Sequence, residues 1–289
     1  MFFVVTTGRS GSTTLARVLS QHPLCHCSHE QHRILVKLAA ERCHSQIDDK
    51  ELGYYLETMF PHRVGLRLYG ESNQKLSYFI PLLAGLGRQP KFIWLIRDGR
   101  NVVASMFSRG AYGTEKSAGP TKVWAKYRLQ GDLCGDVSQQ TWQMMSPFEK
   151  CCWYWSYTNR TIENDLNHLD KAFWMIVRLE ELNDHLAGIL KFLDLPYYPL
   201  KTVQANRNSE TTHRSATWND HERMAFDVLC GEIMDRWYPG WKENRTVSPM
   251  GKSSKFSELG TKFLLTTTSN MRWFVSKGLG KLTTRTSYR

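Results

Sequence analysis

Residues 2–14 read FFVVTTGRSGSTT, and this stretch decides the class of fold. Its first half is apolar and β-branched, which predicts a buried strand over residues 2–7. A helical pattern begins at Ser12 and ends before the pair His22-Pro23. A strand, a glycine-containing loop and a helix in this order predict the first unit of an α/β fold.

The loop between that strand and that helix predicts an anion-binding site. A helix N-terminus carries backbone N–H groups without partners and the positive end of a dipole, which together favour phosphate or sulfate. Gly8 and Gly11 allow the backbone to close around an anion, and Arg9 adds a permanent charge with a planar set of donors. The hydroxyl donors are Ser10, Ser12, Thr13 and Thr14. No lysine precedes the Ser/Thr residues, so the loop is not a Walker A loop.

The rest of the chain alternates strand and helix patterns. Further strands are predicted at residues 24–29, 64–69, 91–98 and 172–182. Helices are predicted at residues 12–21, 31–43, 50–59, 74–86, 101–109, 148–169, 183–195 and 218–237. Residues 110–147 are irregular and predict a long excursion or lid. The alternation predicts a three-layer α/β fold, with a central parallel sheet and helices on both faces.

A second anion-binding segment is predicted in residues 91–107, KFIWLIRDGRNVVASMF. Arg97 leaves a buried strand, and Ser105 follows eight residues later on the next helix. An arginine at a strand end and a serine on the following helix can converge on one phosphate.

Together the two motifs resemble those of the sulfotransferases that use 3′-phosphoadenosine-5′-phosphosulfate (PAPS). The glycine-rich loop is similar to the family's 5′-phosphosulfate loop, and residues 91–107 look like its 3′-phosphate-binding segment. The resemblance covers most of residues 1–241 and includes VRLEEL at 177–182 and YPGW at 238–241. The His22-Pro23 pair also resembles the family, especially its tyrosylprotein and carbohydrate-type members and their bacterial relatives. The chain departs from the family at Gly8, Ser12 and Thr14, where Pro, Thr and a large apolar residue are usual.

The resemblance implies a P-loop NTPase-like sulfotransferase fold and a role for each motif residue. Arg9 would hold the 5′-phosphate and the bridging oxygen and would stabilise the leaving group. The phosphosulfate would be held by the amides of Gly11 through Thr14 and by the hydroxyls of Ser10, Ser12 and Thr13. Arg97 and Ser105 would hold the 3′-phosphate, which distinguishes PAPS from ATP.

The acceptor hydroxyl needs a general base, and Glu30 is the best candidate. It follows the second predicted strand, at the edge where open α/β sheets place their ligands. Tyrosylprotein-type relatives carry a catalytic Glu at a matching distance after the His-Pro pair. The rival bases are His29, His26 and His32, because the unperturbed pKa of His is nearer to neutral pH.

The predicted activity is therefore transfer of a sulfuryl group from PAPS to a hydroxyl, in line and with a general base, releasing 3′-phosphoadenosine-5′-phosphate (PAP). The acceptor stays open among carbohydrate, lipid, small molecule and protein tyrosine. Two alternatives remain: an atypical P-loop kinase, and a non-catalytic nucleotide-binding protein with a basic tail. No metal is expected, because the His and Cys residues between 22 and 44 lack the spacing of a zinc site.

The tail differs in charge from the rest of the chain. The net charge is +11, and residues 245–289 hold nine Lys and Arg against one acid, Glu258. We predict a sulfotransferase domain over residues 1–245 and a basic extension over 246–289. The extension either packs onto the domain or makes a peripheral contact with an anionic membrane. No nucleic-acid partner is expected, because the body is nearly balanced in charge.

The N-terminus and the cysteine count indicate a location, and two further segments offer ligand contacts. The N-terminus lacks the features of a signal peptide, and the odd number of cysteines suits a reduced chain, so a cytoplasmic location is expected, with or without membrane association. The basic loop 197–217 offers Lys201, Arg207 and Arg214 as nucleotide contacts. The aromatic run Trp153, Tyr154, Trp155 and Tyr157 is expected to pack in the core or to line an acceptor pocket.

Overall fold

The parallel sheet is built from the most apolar segments of the chain. The structure is a computed structural model that describes residues 1–61, 63–87, 89–113, 125–201 and 217–242. The strands are β1 (Phe2–Thr6), β2 (Cys25–His29), β3 (Arg63–Val64), β4 (Arg67–Ser72), β5 (Lys91–Ile96) and β6 (Trp174–Arg178). Their order is β2-β4-β1-β5-β6 with every neighbouring pair parallel, and the short β3 pairs antiparallel with β4.

Helices connect the strands and cover both faces of the sheet. They are α1 (Ser12–Leu19), α2 (Leu35–Cys43), α3 (Asp49–Met59), α4 (Ile80–Ala84), α5 (Gly99–Phe107), α6 (Gln139–Met144), α7 (Pro147–Asn167), α8 (Leu182–Phe192) and α9 (Asp220–Trp237). Short 3₁₀ turns lie at Gln74–Tyr78, Lys171–Phe173 and Leu179–Glu181. Capping boxes begin the two longest helices, at Ser146 for α7 and at Asn219 for α9.

The alternation of side chains along β1 separates two cores. Phe2 and Val4 share one core with the apolar residues of α1 and α8. Phe3 and Val5 share the other with α2, α5, α7 and α9. All four side chains are fully buried, and each contributes about 1.5–3 kcal/mol relative to exposure. The three-layer α/β fold that the sequence predicts, with helices on both faces of a parallel sheet, is confirmed.

The strand predicted at residues 64–69 lies a little further along the chain. It runs to Ser72, through Gly70 and Glu71, which are residue types that rarely favour strands. The ring of Phe2 covers Gly70 so closely that a Cβ there would lie 2.1 Å from it. The neighbouring strand therefore decides this extension, which local propensity does not reveal.

The helix predicted at residues 74–86 is interrupted. A 3₁₀ turn ends at Tyr78, and α4 begins again at Ile80 with Pro81 in its first turn. Proline has no N–H to donate to the preceding turn, so it is accommodated where a new helix starts. The predicted excursion at 110–147 contains α6, and its residues 114–124 lie outside the described part of the chain.

Candidate active site

The candidate site lies where the connections of two neighbouring strands diverge. β1 and β5 are adjacent and parallel, yet α1 packs on one face of the sheet and α5 on the other. The loops that leave these two strands therefore separate at the carboxyl edge and leave a crevice, which is where open α/β sheets bind ligands.

The loop after β1 has the backbone geometry of an anion cradle. Gly11 has a φ of 84° and Arg9 a φ of 69°, so the chain turns through left-handed conformations before α1. Gly11 is the N-cap of α1 and provides no side-chain cap, so the first-turn amides have no such acceptor. The hydroxyls of Thr7 and Ser10 form a buried hydrogen bond of 2.6 Å that stabilises the turn.

The second predicted segment meets this loop directly. Arg9 Nε donates to Ser105 Oγ at 3.1 Å, and Arg97 Nη1 donates to the carbonyl oxygen of Arg9 at 2.9 Å. The carbonyl of Arg97 accepts from Trp155 Nε1 at 3.3 Å, which holds the strand end in place. Arg97 Nε is buried and has no hydrogen-bond partner among the described residues. The two motifs thus meet at one site. At this site a buried arginine N–H donor has no acceptor among the described residues.

Electrostatics at this point favour an anion. Burial is the main cause that lowers the pKa of Arg9, and the nearby guanidinium groups of Arg109 and Arg97 lower it further. Like charges held together in a partly buried site repel one another, and a bound phosphate or sulfate would offset that repulsion. Arg109 was not among the residues predicted from the sequence.

The two other family-like segments position the loop after β5. Asp98 is the N-cap of α5 and pairs with Arg100, whose Nη1 donates to the carbonyl of Trp241 at 3.0 Å. Glu180 accepts from the backbone N of Asp98 at 3.1 Å and from Tyr238 OH at 3.0 Å. Residues 177–182 and 238–241 therefore brace the Arg97 segment from outside the site.

Glu30 lies at the same carboxyl edge and faces a cavity. Its φ of 49° is unusual for a residue other than glycine, and its backbone N donates to the carbonyl of Ser72 at 3.2 Å. Gln74 Nε2 donates to Glu30 Oε1 at 3.1 Å, and Tyr154 OH donates to Gln74 Oε1 at 3.2 Å. These two hydrogen bonds, from Tyr154 to Gln74 and from Gln74 to Glu30, orient the Glu30 carboxylate.

The cavity has a volume of about 280 Å³ and is lined both by the loop after β1 and by His29 and Glu30. Arg9, Ser12, Thr13 and Glu30 line it on the side of the anion cradle. The other lining residues include Lys75, Met106, Ala111, Tyr112, Arg128, Leu129 and Tyr154. Of the aromatic run in α7, Tyr154 lines the cavity, whereas Trp153 and Trp155 are buried in the core.

The three rival histidines occupy different places. His29 Nε2 is shared by Ser12 Oγ at 3.0 Å and Thr13 Oγ1 at 3.1 Å, so it is engaged by the loop, and burial lowers its pKa. His26 Nε2 lies 3.2 Å from Ser28 Oγ, and the ring of His32 packs edge-on against Phe60. Glu30 and His29 both line the cavity, and of the two it is His29 whose ring is engaged by the loop hydroxyls.

Glu71 is a further buried acid that sequence reasoning missed. Its carboxylate accepts from the backbone N of Gln31 at 3.1 Å and from Tyr69 OH at 3.0 Å. Desolvation raises the pKa of Glu71 above its usual value. It holds the backbone that follows Glu30. Glu71 could have been predicted from its position, because it is an acid near the end of β4, the strand next to β1.

The remaining predicted contacts are only partly described. The backbone of Lys201 exchanges hydrogen bonds with the amide of Gln21, at 2.9 and 2.7 Å. Arg207, Arg214 and the whole extension 246–289 lie outside the described residues. Within the described ranges, no helix is long and apolar enough to span a membrane, and no cluster of three or more His, Cys, Asp or Glu is placed to hold a metal ion.

Comparison with known proteins supports the resemblance that the motifs indicate. The chain is 25% identical over 220 residues to a protein-tyrosine sulfotransferase of Drosophila melanogaster. The match covers 68% of this chain but only 38% of that relative's length. No family model matches the chain. The predicted similarity to sulfotransferases is confirmed by this relative.

Solved sulfotransferase structures also align with the chain at low similarity. A sulfotransferase domain from the curacin biosynthetic pathway aligns over 96% of this chain and 97% of its own, with 17% identity and a TM-score of 0.45. A mouse sulfotransferase, SULT7A1 complexed with PAP, aligns over 81% and 83%, with 17% identity and a TM-score of 0.45. With such TM-scores, the fold assignment rests on the sheet order and layering.

Proposed function

We propose that this chain, which is similar to the sulfotransferases, transfers a sulfuryl group from PAPS to an acceptor hydroxyl. The observation that carries the proposal is the contact between its two anion-binding segments, Arg9 Nε to Ser105 Oγ and Arg97 Nη1 to the carbonyl of Arg9. A nucleotide with phosphates at both its 5′ and 3′ positions presents the two anionic ends that such a paired site would bind.

Each site residue has a defined task in this proposal. The first-turn amides of α1, with the Ser10, Ser12 and Thr13 hydroxyls, bind the phosphosulfate. Arg9 stabilises the negative charge that develops on the bridging oxygen as the sulfur–oxygen bond breaks. Arg97 and Ser105 bind the 3′-phosphate. Positioning and charge stabilisation supply most of the rate, as in phosphoryl transfer.

Glu30 acts as the general base in this scheme. The acceptor oxygen forms its bond to sulfur while its proton passes to the Glu30 carboxylate, and PAP leaves. Gln74 holds one carboxylate oxygen, so the group approaches the acceptor in a defined orientation. The other residues that line the cavity, which include Tyr112 and Arg128, would contact the acceptor. The acceptor class, including the protein tyrosine of the Drosophila relative, stays open.

Nucleotide binding is the first test. Thermal-shift titrations with PAP, ADP and ATP should show selective stabilisation by PAP, about 2.7 kcal/mol at a hundredfold excess over its Kd. Ser105→Ala should weaken PAP binding about tenfold and leave ADP binding unchanged, because it removes one hydrogen bond to a charged group. Ser108→Ala, one turn later and directly after the end of α5, is the control and should bind PAP normally, because its hydroxyl donates to the backbone carbonyl of Ser105 at 3.3 Å and not to the Ser105 hydroxyl. Equal binding of ATP and PAP would instead favour a kinase.

Turnover is the second test. With labelled PAPS and a panel of hydroxyl acceptors, Glu30→Gln should lower kcat by about 10²–10⁴ while PAP binding is retained, because a positioned base contributes that much. His29→Gln serves as the comparison. A larger loss in that variant than in Glu30→Gln would transfer the role of base to His29. Binding of PAP without any turnover across the panel would favour the non-catalytic alternative.

A further inference from the structure

Glu71 is a fully buried acid on β4, a strand that has a neighbouring strand on each side. The two other buried acids of the described ranges each form an ion pair, Asp98 with Arg100 and Glu163 with Arg236. Glu71 forms no ion pair with any described residue, so hydrogen bonds must offset the cost of burying it. The partners of those hydrogen bonds indicate what the side chain does.

Both carboxylate oxygens of Glu71 accept a hydrogen bond from an uncharged donor. The hydroxyl of Tyr69, itself buried, donates to Oε2 at 3.0 Å. The backbone N of Gln31 donates to Oε1 at 3.1 Å. Tyr69 therefore holds the carboxylate in place, and the carboxylate binds the backbone directly after Glu30.

The backbone at Glu30 has a conformation that its residue type disfavours. Its φ of 49° lies in the left-handed region, where a residue with a Cβ is uncommon. Such a conformation costs free energy and persists only where surrounding contacts hold it. The contacts around Glu30 therefore decide whether its carboxylate stays at the cavity.

The end of β4 supplies these contacts. His29 and Ser72 are the last paired residues of β2 and β4. The N of Glu30 still donates to the carbonyl of Ser72, at 3.2 Å. Since β4 ends at Ser72, the next N–H, that of Gln31, is bound by the Glu71 carboxylate in place of a strand carbonyl.

The same end of β4 is bonded to the anion cradle. Ser72 Oγ donates to the carbonyl of Ser12, the first residue of α1, at 3.1 Å. The turn at Glu30 and the cradle are thus attached to adjacent residues of one strand, which fixes their separation.

We propose that Glu71 is a positioning residue for the proposed base, and that its carboxylate holds the left-handed turn that places Glu30 beside the anion cradle. This inference rests on the proposed function, because Glu71 is fully buried and can act on the reaction only through Glu30.

Steady-state kinetics with PAPS tests this role. Glu71→Met removes both acceptor oxygens and fills the space with an apolar side chain. It should lower kcat about 10–100-fold, because a small displacement of a reacting group costs that much, with Kd for PAP within about twofold. Glu71→Gln keeps an amide oxygen for the N–H of Gln31 and can donate to the oxygen of Tyr69. It should retain at least about half of kcat, since the contact with the backbone survives.

A control variant separates positioning from stability. Tyr78→Phe removes a buried hydrogen bond of 2.7 Å to Thr158, and neither of these residues lines the cavity. It should lower Tm and leave kcat unchanged. In a Glu30→Gln background, Glu71→Met should lower kcat by less than about twofold, because residues that act through one group have non-additive effects. A purely structural effect would instead lower kcat by the same factor in both backgrounds.

Amide exchange tests the contact without any turnover. Hydrogen–deuterium exchange of peptides spanning residues 26–34 measures the N–H of Gln31. This amide should exchange at least about tenfold faster in Glu71→Met than in Glu71→Gln or the unsubstituted chain, because its hydrogen bond is lost. If Glu71→Met does not fold, adding Tyr69→Phe replaces both side chains of the buried bond by apolar groups, and the same measurements are made on that variant.

The outcomes distinguish this inference from the proposed function. Unchanged exchange at Gln31 in Glu71→Met would overturn the positioning role. So would an unchanged kcat in that variant when Glu30→Gln is inactive, and the proposed function would then stand. An unchanged kcat in Glu30→Gln would overturn the proposed base and the role of Glu71 together.

Discussion

At the scale of single residues, Gln74 determines how Glu30 is presented. Its amide nitrogen donates to Glu30 Oε1, and its amide oxygen accepts from Tyr154 OH, so its orientation is fixed by bonds at both ends. The same side chain closes over Gly8, where a Cβ would lie 2.5 Å from Gln74 Oε1. Gln74 therefore links the anion cradle to the proposed base, as a positioning residue that contacts neither nucleotide phosphate in the proposal.

Removal of this link should reduce catalysis more than binding. Gln74→Ala should lower kcat about tenfold with PAP affinity unchanged, because one hydrogen bond to a carboxylate is lost. Tyr154→Phe should have a smaller effect in the same direction, since its hydroxyl contacts Gln74 and not Glu30. Steady-state kinetics with PAPS, alongside PAP titration, measures both. If Glu30→Gln abolishes activity but Gln74→Ala leaves kcat unchanged, Gln74 has no role in positioning Glu30.

At the scale of elements, the turn into α1 requires a left-handed backbone conformation at Gly11 and leaves little space for a side chain there. Gly11 has a φ of 84°, and a Cβ there would lie 2.4 Å from Leu179 Cδ1 in the 3₁₀ turn after β6. Both the conformation and the close approach exclude a side chain. Gly188, in the exposed interior of α8, has nothing within 4 Å of an added Cβ. An added side chain would therefore meet a close contact at Gly11 and open space at Gly188.

Alanine substitution should separate these two positions. Gly11→Ala should lower the free energy of unfolding by about 1–3 kcal/mol and weaken PAP binding, because the cradle must distort. Gly188→Ala should raise the free energy of unfolding by about 0.5–1 kcal/mol, since glycine is unfavourable inside a helix, and PAP binding should be unchanged. Urea denaturation with and without PAP gives both quantities. Equal stability of the two variants would contradict this account of Gly11.

At the scale of the whole molecule, hydrogen bonds tie the last described residues to the loops beside the candidate site. Arg100 bonds to the carbonyl of Trp241, Arg178 to that of Trp237, and Tyr238 to Glu180. These bonds tie the end of α9 and the residues after it to the loops beside the site. They support the predicted boundary near residue 245, which stays a prediction.

Truncation tests that boundary and the role of the extension. A chain of residues 1–245 should have a Tm within about 2 °C of the full chain, the shift that corresponds to less than 1 kcal/mol in a domain of this size. Its stabilisation by PAP should also be unchanged. Co-sedimentation of both chains with anionic and neutral vesicles tests the membrane contact. Equal sedimentation of the two chains would exclude a membrane role for residues 246–289, whereas a large loss of Tm would show that the extension packs on the domain.

Several elements are recognisable from the residues alone, because local chemistry specifies them. Apolar runs predicted β1 and β5, and the order of strand and helix patterns predicted the three-layer fold. The loop after β1, the segment with Arg97 and Ser105, and Glu30 after β2 were chosen from their residue types and from the resemblance to the sulfotransferases, and their roles stay predictions. The end of β4 was predicted less well because the ring of Phe2, on a neighbouring strand, covers Gly70. The helix predicted at 74–86 is interrupted because Pro81 lies where a new helix starts.

The distant residues that complete these motifs are brought together by the packing of the sheet and the helices. Gln74 reaches Glu30 across 44 residues of chain, Tyr154 reaches Gln74 across 80, and Glu71 reaches Gln31 across 40. The physical reason is that hydrogen bonds between side chains depend on distances set by the packed sheet and helices, whereas strands, helices and cradles follow from the local spacing of apolar, glycine and charged residues.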